Sequence, residues 1–331
     1  MAKSINDSNA TSVTSVLVPA YNHAQFIEAC LDSVARETWP RIELIIVDDA
    51  STDDTYSLAK EWLSRNPGVF ERAVLLRNQV NLGVGRTLNK LVAASTGTYL
   101  TVVASDDLLA AGGIQARVDA LRGSNSRGAV IGDCWLIDGD GIVRRESAYV
   151  VRHRANLSAL SSPRAIRREL ILNWSVPGPV LLFHRDLVQT LGGRIYAEDL
   201  VAEDRDLYLR LMAADQLRFV DFPVAYYRWH HSNASAIHVE QIMGELVQAE
   251  RRHMRSFPPR FRVLIGFVVV GRVLRTRAEE RGGLWHPFSV VHRAVTRITY
   301  RCHAALARRQ KHELAWRPGP DGGRSGMSSR T

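Results

Sequence analysis

Cysteine is scarce in this chain. The 331 residues hold three, Cys30, Cys134 and Cys302, too scattered for a disulfide framework or a zinc knuckle. That count fits a reducing compartment. A long apolar run is also missing: Val263 to Gly271 is about half the 18–20 residues that a bilayer-spanning helix needs, and arginines flank it. The opening residues, MAKSINDSNATS, carry one lysine and no apolar stretch, so they do not read as a secretory signal. These absences exclude an integral membrane protein and make the cytoplasm the expected location.

Acidic residues are thin in one region only. Residues 241–331 hold 18 Lys and Arg against 6 Asp and Glu, whereas the preceding 240 residues hold 25 against 28. The whole basic excess of +9 therefore sits in the last quarter, which counts against nucleic acid as a partner of the larger part.

The first hundred residues alternate strand and helix signals. Val13 to Val18, Ile42 to Val47, Ala73 to Leu76 and Thr98 to Ala104 are short apolar runs rich in β-branched residues. Helical spacing appears over Ala24 to Arg36, over Asp54 to about Leu63, capped by Ser51 or Thr52, and over Arg86 to Ala94. Strands apolar on both faces and separated by helices predict an α/β fold with a parallel sheet between helical layers. All carboxyl ends of such strands fall on one edge, where ligands of open α/β sheets bind. Further on, strands are predicted around the turn at Asp138 to Gly141, at Val180 to Phe183 and at Phe219 to Tyr227. A helix is predicted over Asp206 to Ala214.

Two acidic pairs, Asp48-Asp49 and Asp106-Asp107, stand at strand carboxyl ends. One such pair is explained by turn or cap chemistry. Two pairs at one edge repel unless a cation or hydrogen-bond donors compensate them, and adjacent carboxylates suit a hard divalent cation holding a diphosphate. Gly83-Val-Gly85 lacks the third glycine of a dinucleotide fingerprint, and Asp48 to Asp54 lacks the glycine and terminal glutamate of an EF-hand loop.

Val16-Leu-Val-Pro-Ala-Tyr-Asn22, Ile45-Ile-Val-Asp-Asp-Ala-Ser-Thr-Asp53, Asn81-Leu-Gly-Val-Gly85, Thr96-Gly-Thr-Tyr99 and Ser105-Asp-Asp107 resemble, in order and spacing, the motifs of the family 2 glycosyltransferases. The resemblance covers about residues 13–235 and is most specific over 13–110. It implies the GT-A fold, a Rossmann-like, mostly parallel sheet with flanking helices. It also implies transfer of a sugar, with inversion, from a nucleotide-diphosphate donor, commonly UDP-linked, with Mg2+ or Mn2+ as cofactor. By position, Pro19 and Tyr21 would line the nucleotide pocket, Asp49 would bind the base, and Asn89 would face the nucleotide. Asp106 would lie by the ribose and Asp107 would contact the metal. His230, in Tyr227-Arg-Trp-His230, would touch metal or diphosphate.

Ala202-Glu-Asp-Arg-Asp-Leu-Tyr-Leu-Arg210 has two readings. Acids at a helix start favour the macrodipole, and Asp206 can pair with Arg210 four residues on. The string also resembles the family's Glu-Asp motif, which implies that Asp204 is the base that deprotonates the acceptor hydroxyl. Glu198-Asp199 is a competing pair, less suited because no amphipathic helix follows it directly.

The chain is thus divided into a flexible 1–12, a catalytic domain over 13–236, a basic helical extension over 237–317 and a disordered 318–331. The extension interleaves arginines with Phe257, Phe261, Phe267, Trp285 and Tyr300. It reads either as helices packed on the catalytic domain or as an amphipathic segment docking to anionic lipids on the inner face of the plasma membrane. The family resemblance implies a glycan or lipid-linked acceptor in surface polysaccharide synthesis. A nucleotidyltransferase on the same sheet and an inactive membrane-docked scaffold are the alternatives.

Overall fold

The protein is described as a computed structural model over residues 12–124, 127–230, 233 and 239–281. Residues 1–11 of the expected flexible N-terminus over 1–12, the second half of the basic extension and the 318–331 tail lie outside these residues.

The first half is the predicted alternation: β1 (Thr14–Ala20), α1 (Ile27–Ala35), β2 (Ile42–Asp48), α2 (Thr55–Arg65), β3 (Arg72–Arg77), α3 (Val84–Ala94) and β4 (Tyr99–Val102). All seven residues of β2 are buried, as a strand covered on both faces requires. Alternation then sorts the side chains: Leu17, Ile45 and Val47 share one core with Leu88 and Leu91 of α3. Val16, Val18, Leu44 and Ile46 share the other with Ile27 and Leu31 of α1 and Trp62 of α2. The second helix starts without a side-chain cap at Asp54. Ser51 and Thr52, expected as caps, instead bind Asn22, while an Asp53 oxygen accepts the Thr55 N–H at 3.0 Å.

The second half is mixed. It runs β5 (Leu108–Leu109), α4 (Gly113–Gly123), β6 (Ala129–Asp138), β7 (Val143–Ser147), α5 (Ala148–His153), α6 (Pro163–Leu172), β8 (Leu181–His184), α7 (Asp186–Thr190), α8 (Glu203–Ala213) and β9 (Leu217–Trp229). The sheet order is β3-β2-β1-β4-β8-β6-β9-β5, with β7 on β6. Strands β1 to β4 pair in parallel, and β8 is inserted antiparallel between β4 and β6. Because β6 is antiparallel to β8 and parallel to β9, both run with β1, β2 and β4. The carboxyl end of β9, and with it His230, therefore joins the edge that carries Asp49 and Asp106. Elements β5, α4 and α7 had no counterpart in the sequence reading, and α8 begins three residues earlier than predicted, at Glu203.

Two further helices, α9 (Val239–His253) and α10 (Pro259–Arg281), continue the body. Ala249, Phe257, Phe261, Ile265, Val268 and Val269 belong to the same core as β6 and α8, so residue 236 does not separate two cores. An ion pair lies inside this junction. Arg205 of α8 donates to Glu250 of α9 at 2.7 Å and to the Leu170 carbonyl, and Arg272 of α10 approaches Glu250 at 3.4 Å. Both Arg205 and Glu250 are fully enclosed. Removing one partner of a buried pair leaves an uncompensated charge at a cost of about 3–5 kcal/mol. Glu250→Gln is expected to lose stability in that range by denaturant unfolding, whereas Glu240→Gln on the exposed start of α9 is expected to change it little.

Candidate active site

The site is built where strands stop. Pro19 sits in β1 opposite Val47, and its carbonyl accepts the Ser105 N–H at 3.3 Å. Tyr21 follows, 44% exposed at the strand exit. Asn22 turns the chain with a left-handed φ of 53°, and its side-chain oxygen accepts the Thr52 N–H at 2.9 Å. The exits of β1 and β2 are thereby stitched together. Asp49 is buried, and its carboxylate accepts from the Leu82 and Gly83 N–H groups at 2.8 and 2.9 Å and from the Asn78 amide at 2.7 Å. It holds the loop between β3 and α3, where Leu82 and the first helical residue, Val84, are exposed. Asn89, expected to face the nucleotide, is instead engaged with the chain at Tyr196: its amide donates to the Tyr196 carbonyl at 2.9 Å and accepts the Tyr196 N–H at 3.1 Å.

The central cluster is Asp106 with two histidines. The Asp106 carboxylate lies 3.1 Å from His230 Nε2, within hydrogen-bond distance, and 3.8 Å from His23 Nε2, and His23 Nδ1 shares a hydrogen bond with the Ser105 hydroxyl at 2.8 Å. One ligand atom from each of His23, Asp106 and His230 falls within 4.8 Å of the others. Burial alone would raise the Asp106 carboxyl, but the His230 hydrogen bond and the charge of His23 outweigh it and hold it below the usual range. Burial pushes His23 down, against the pull of Asp106.

Asp107 faces the other way. It is 2% exposed, and its carboxylate accepts the Arg228 backbone N–H at 2.8 Å. Burial and the neighbouring Asp106 charge push its carboxyl well above the usual range. The sequence reading gave the metal to Asp107 and the ribose side to Asp106, but the geometry groups His230 with Asp106. The cause is local: β5 begins at the next residue and pairs Leu108 with Tyr226, which turns Asp107 onto the β9 backbone. Arg228 completes the floor, donating to the carbonyls of Asp106 at 2.7 Å and Asp138 at 3.1 Å, with its guanidinium over Phe26 at 4.7 Å. His23, Ser105 and Arg228 were missed as site residues in sequence. The signal available was that positions 23 and 105 each stand three residues past a strand end.

A second group of carboxylates opens α8. The three-residue link from α8 to β9 returns the chain along the sheet, so the first turn of α8 stands at the carboxyl edge. Asp204 accepts the Arg205 N–H at 2.6 Å and is pushed up to about 6 by burial, against that N–H and the Arg205 charge. Burial and Asp204 together raise Glu203 well above its ordinary value. The other acids nearby are committed: Asp206 to Arg210, Arg252 and His253, Asp199 to Arg252, and Glu198 to Asn89. Among the described residues no Lys or Arg forms an ion pair with Asp204.

Comparison with known proteins matches the Glycosyl transferase family 2 profile over residues 15–192. A PGL/p-HBAD biosynthesis glycosyltransferase of Mycobacterium tuberculosis is 35% identical over 135 residues, 41% of this chain and 49% of that protein. Chondroitin synthase of Escherichia coli is 31% identical over 129 residues, 39% of this chain and 18% of that protein. The aligned part thus spans half or less of the length of these curated relatives. Two solved structures share the fold. The mannosyltransferase PcManGT from Pyrobaculum calidifontis, in complex with GDP-Man and Mn2+, has a TM-score of 0.58 at 23% identity, covering 93% of this chain and 89% of its own. TarS 1–349 of S. aureus, in complex with UDP-GlcNAc, has a TM-score of 0.60 at 18% identity, covering 84% and 79%.

The raised Asp204 makes a stability prediction with a definite sign. Its folded value of about 6 exceeds the ordinary 3.8, so folding carries a penalty that is absent below about pH 4 and complete above about pH 6. Asp204→Asn is expected to stabilise the protein by about 1–2 kcal/mol at pH 8 and to leave it unchanged at pH 4, measured by denaturant unfolding. A carboxylate kept at such a cost, on the sheet edge that holds Asp106 and His230, accords with the profile match across more than half of the chain: the protein belongs to glycosyl transferase family 2.

Proposed function

We propose that this chain transfers a sugar from a nucleotide-diphosphate donor, a UDP-sugar, to the hydroxyl of a glycan or lipid-linked acceptor with inversion, in cell-surface polysaccharide synthesis. The observation that carries this reading is the pairing of two different carboxylate environments at one sheet edge. Asp106 is held charged beside His230, while Asp204 is poised near neutrality. A carboxyl with a value of about 6 is ionised at neutral pH and still basic enough to take a proton from the acceptor hydroxyl. Tyr21 and Pro19 line the nucleotide side, and Asp49, which also holds the Leu82 and Gly83 N–H groups, binds the base. Asp106 and His230 would hold the divalent cation, Mn2+ or Mg2+. Their donor set fits one: a carboxylate kept ionised, with an imidazole nitrogen converging on it. The cation supplies charge neutralisation for the departing diphosphate.

This reading predicts UDP binding that requires Mn2+ by calorimetry and is lost in Asp106→Ala. Asp204→Asn is expected to bind the donor normally and to lose turnover by at least about a hundredfold. Turnover of the unaltered chain should fall about tenfold per pH unit below pH 6. An active Asp204→Asn variant would assign the base elsewhere.

The catalytic domain is assigned to 13–236, and the basic extension is read as a dock for an anionic lipid surface. Residues 251–277 hold eight arginines and no acid. On α10, Val263 and Val270 are 73% and 53% exposed and two turns apart on one face, with exposed Arg262 beside them. No helix among the described residues is long and apolar enough to cross a membrane. Flotation with phosphatidylglycerol vesicles should carry the protein up and phosphatidylcholine vesicles should not. The double change Val263→Asp and Val270→Asp should abolish flotation; binding indifferent to lipid charge and to these changes would sink the idea.

A further inference from the structure

We infer that His23 is a third protein ligand of the cation, giving a two-histidine, one-carboxylate site that prefers Mn2+, Co2+ or Zn2+ to Mg2+. The inference rests on the proposed metal role of Asp106 and His230 and adds a residue that the motif comparison did not assign.

The backbone of His23 is pinned. Its N–H donates to the Thr55 hydroxyl at 2.8 Å, and its carbonyl accepts from the N–H groups of Phe26 and Ile27 at 2.9 and 3.0 Å. The ring is fixed as well. It stands edge-on to Phe26 and to His230, with centroids 5.9 and 6.1 Å away. Nδ1 is engaged by the Ser105 hydroxyl at 2.8 Å. In the tautomer whose Nδ1–H donates to that hydroxyl, Nε2 keeps its lone pair for a cation. Nε2 points at Asp106 but stops 3.8 Å short, too far for a hydrogen bond.

The spacing suits a shared ion better than a direct contact. Two ligand atoms about 2.1 Å from one cation are about 3.0 Å apart at right angles, about 3.4 Å at a tetrahedral angle and about 4.2 Å when opposed. The observed 3.1 and 3.8 Å fall within that span, and the third separation is inside 4.8 Å. Asp107 does not compete, because it is buried and its carboxylate accepts the Arg228 N–H. The side chain of His23 is 23% exposed, against 5% for His230, so His23 stands on the open side of the site. Mg2+ favours an all-oxygen shell, while imidazole nitrogen suits the borderline transition metals, so each added histidine moves the preference away from Mg2+.

Pulsed electron paramagnetic resonance on the full chain with Mn2+, alone and with UDP, reads the ligands directly. Two imidazole nitrogen couplings are expected in the unaltered protein and one in His23→Ala. Calorimetry with Co2+ should show about a tenfold or greater loss in His23→Ala and a smaller loss in Ser105→Ala, which keeps the ring but frees it. Thermal melting of each variant checks folding, and the Ser105→Ala arm stands if His23→Ala fails to fold. A single imidazole coupling in the unaltered protein, with Mn2+-dependent UDP binding intact, would overturn the role of His23 and leave the transferase reading in place. Absence of Mn2+ binding with and without UDP would overturn both.

Discussion

The side chain and backbone of Arg228 tie the two halves of the molecule together across the sheet edge. Its N–H takes the Asp107 carboxylate, its guanidinium takes the carbonyls of Asp106 and Asp138, and its planar face covers Phe26 at the start of α1. Asn233 caps the arrangement, accepting the His230 N–H and donating to the Arg228 carbonyl. Without this clamp the adjacent acids of the β4 exit would face the same space and repel. With it they diverge: Asp107 turns in and is raised by burial, and Asp106 turns out, charged, toward His23 and His230.

The same kind of constraint recurs along the edge. Short polar bonds between neighbouring strand exits replace what would be free loops. Asn22 is bound to Ser51 and Thr52, Asp49 to the N–H groups at 82 and 83, and His23 to Thr55 and Ser105. Behind the edge, Glu43 performs a similar service at the opposite end of β2. It is buried, and it accepts from the Ser15 hydroxyl and from both the N–H and hydroxyl of Thr96. Gly97 follows Thr96 because a Cβ there would lie 2.6 Å from the Ser15 oxygen. The Thr96-Gly97 string is therefore explained by packing at the foot of β4, away from the site.

The fold was legible wherever local pattern decides it. Seven of the first elements follow from apolar runs and helical spacing, because strands buried on both faces and amphipathic helices write their environment into consecutive residues. The strand β8 was legible as an apolar run but its antiparallel sense was not, and the two-residue β5 and the short α7 were not legible, since short elements owe their form to partners far away in the chain. At the site, sequence order located Asp106, Asp204 and His230 near one edge. It did not resolve which member of the Asp106-Asp107 pair faces outward, since that depends on β5 pairing with β9 more than a hundred residues later. Nor did it single out His23, whose neighbours in space are Ser105, Asp106 and His230.

The extension shows how one helix serves two environments. Phe261, Ile265, Val268 and Val269 of α10 face inward and complete the core under α6, while Val263 and Val270 face outward among arginines. Arg252 and Arg272 are drawn inward to Asp199, Asp206 and Glu250, so part of the basic charge that looked like a surface feature is structural. Packing on the catalytic domain and docking to a lipid surface were opposed readings of this segment in sequence. They are compatible in one helix with two faces, because burial of the inner face fixes the orientation in which the outer face is presented. A membrane bound there would be held at a set angle to the edge carrying Asp106 and Asp204.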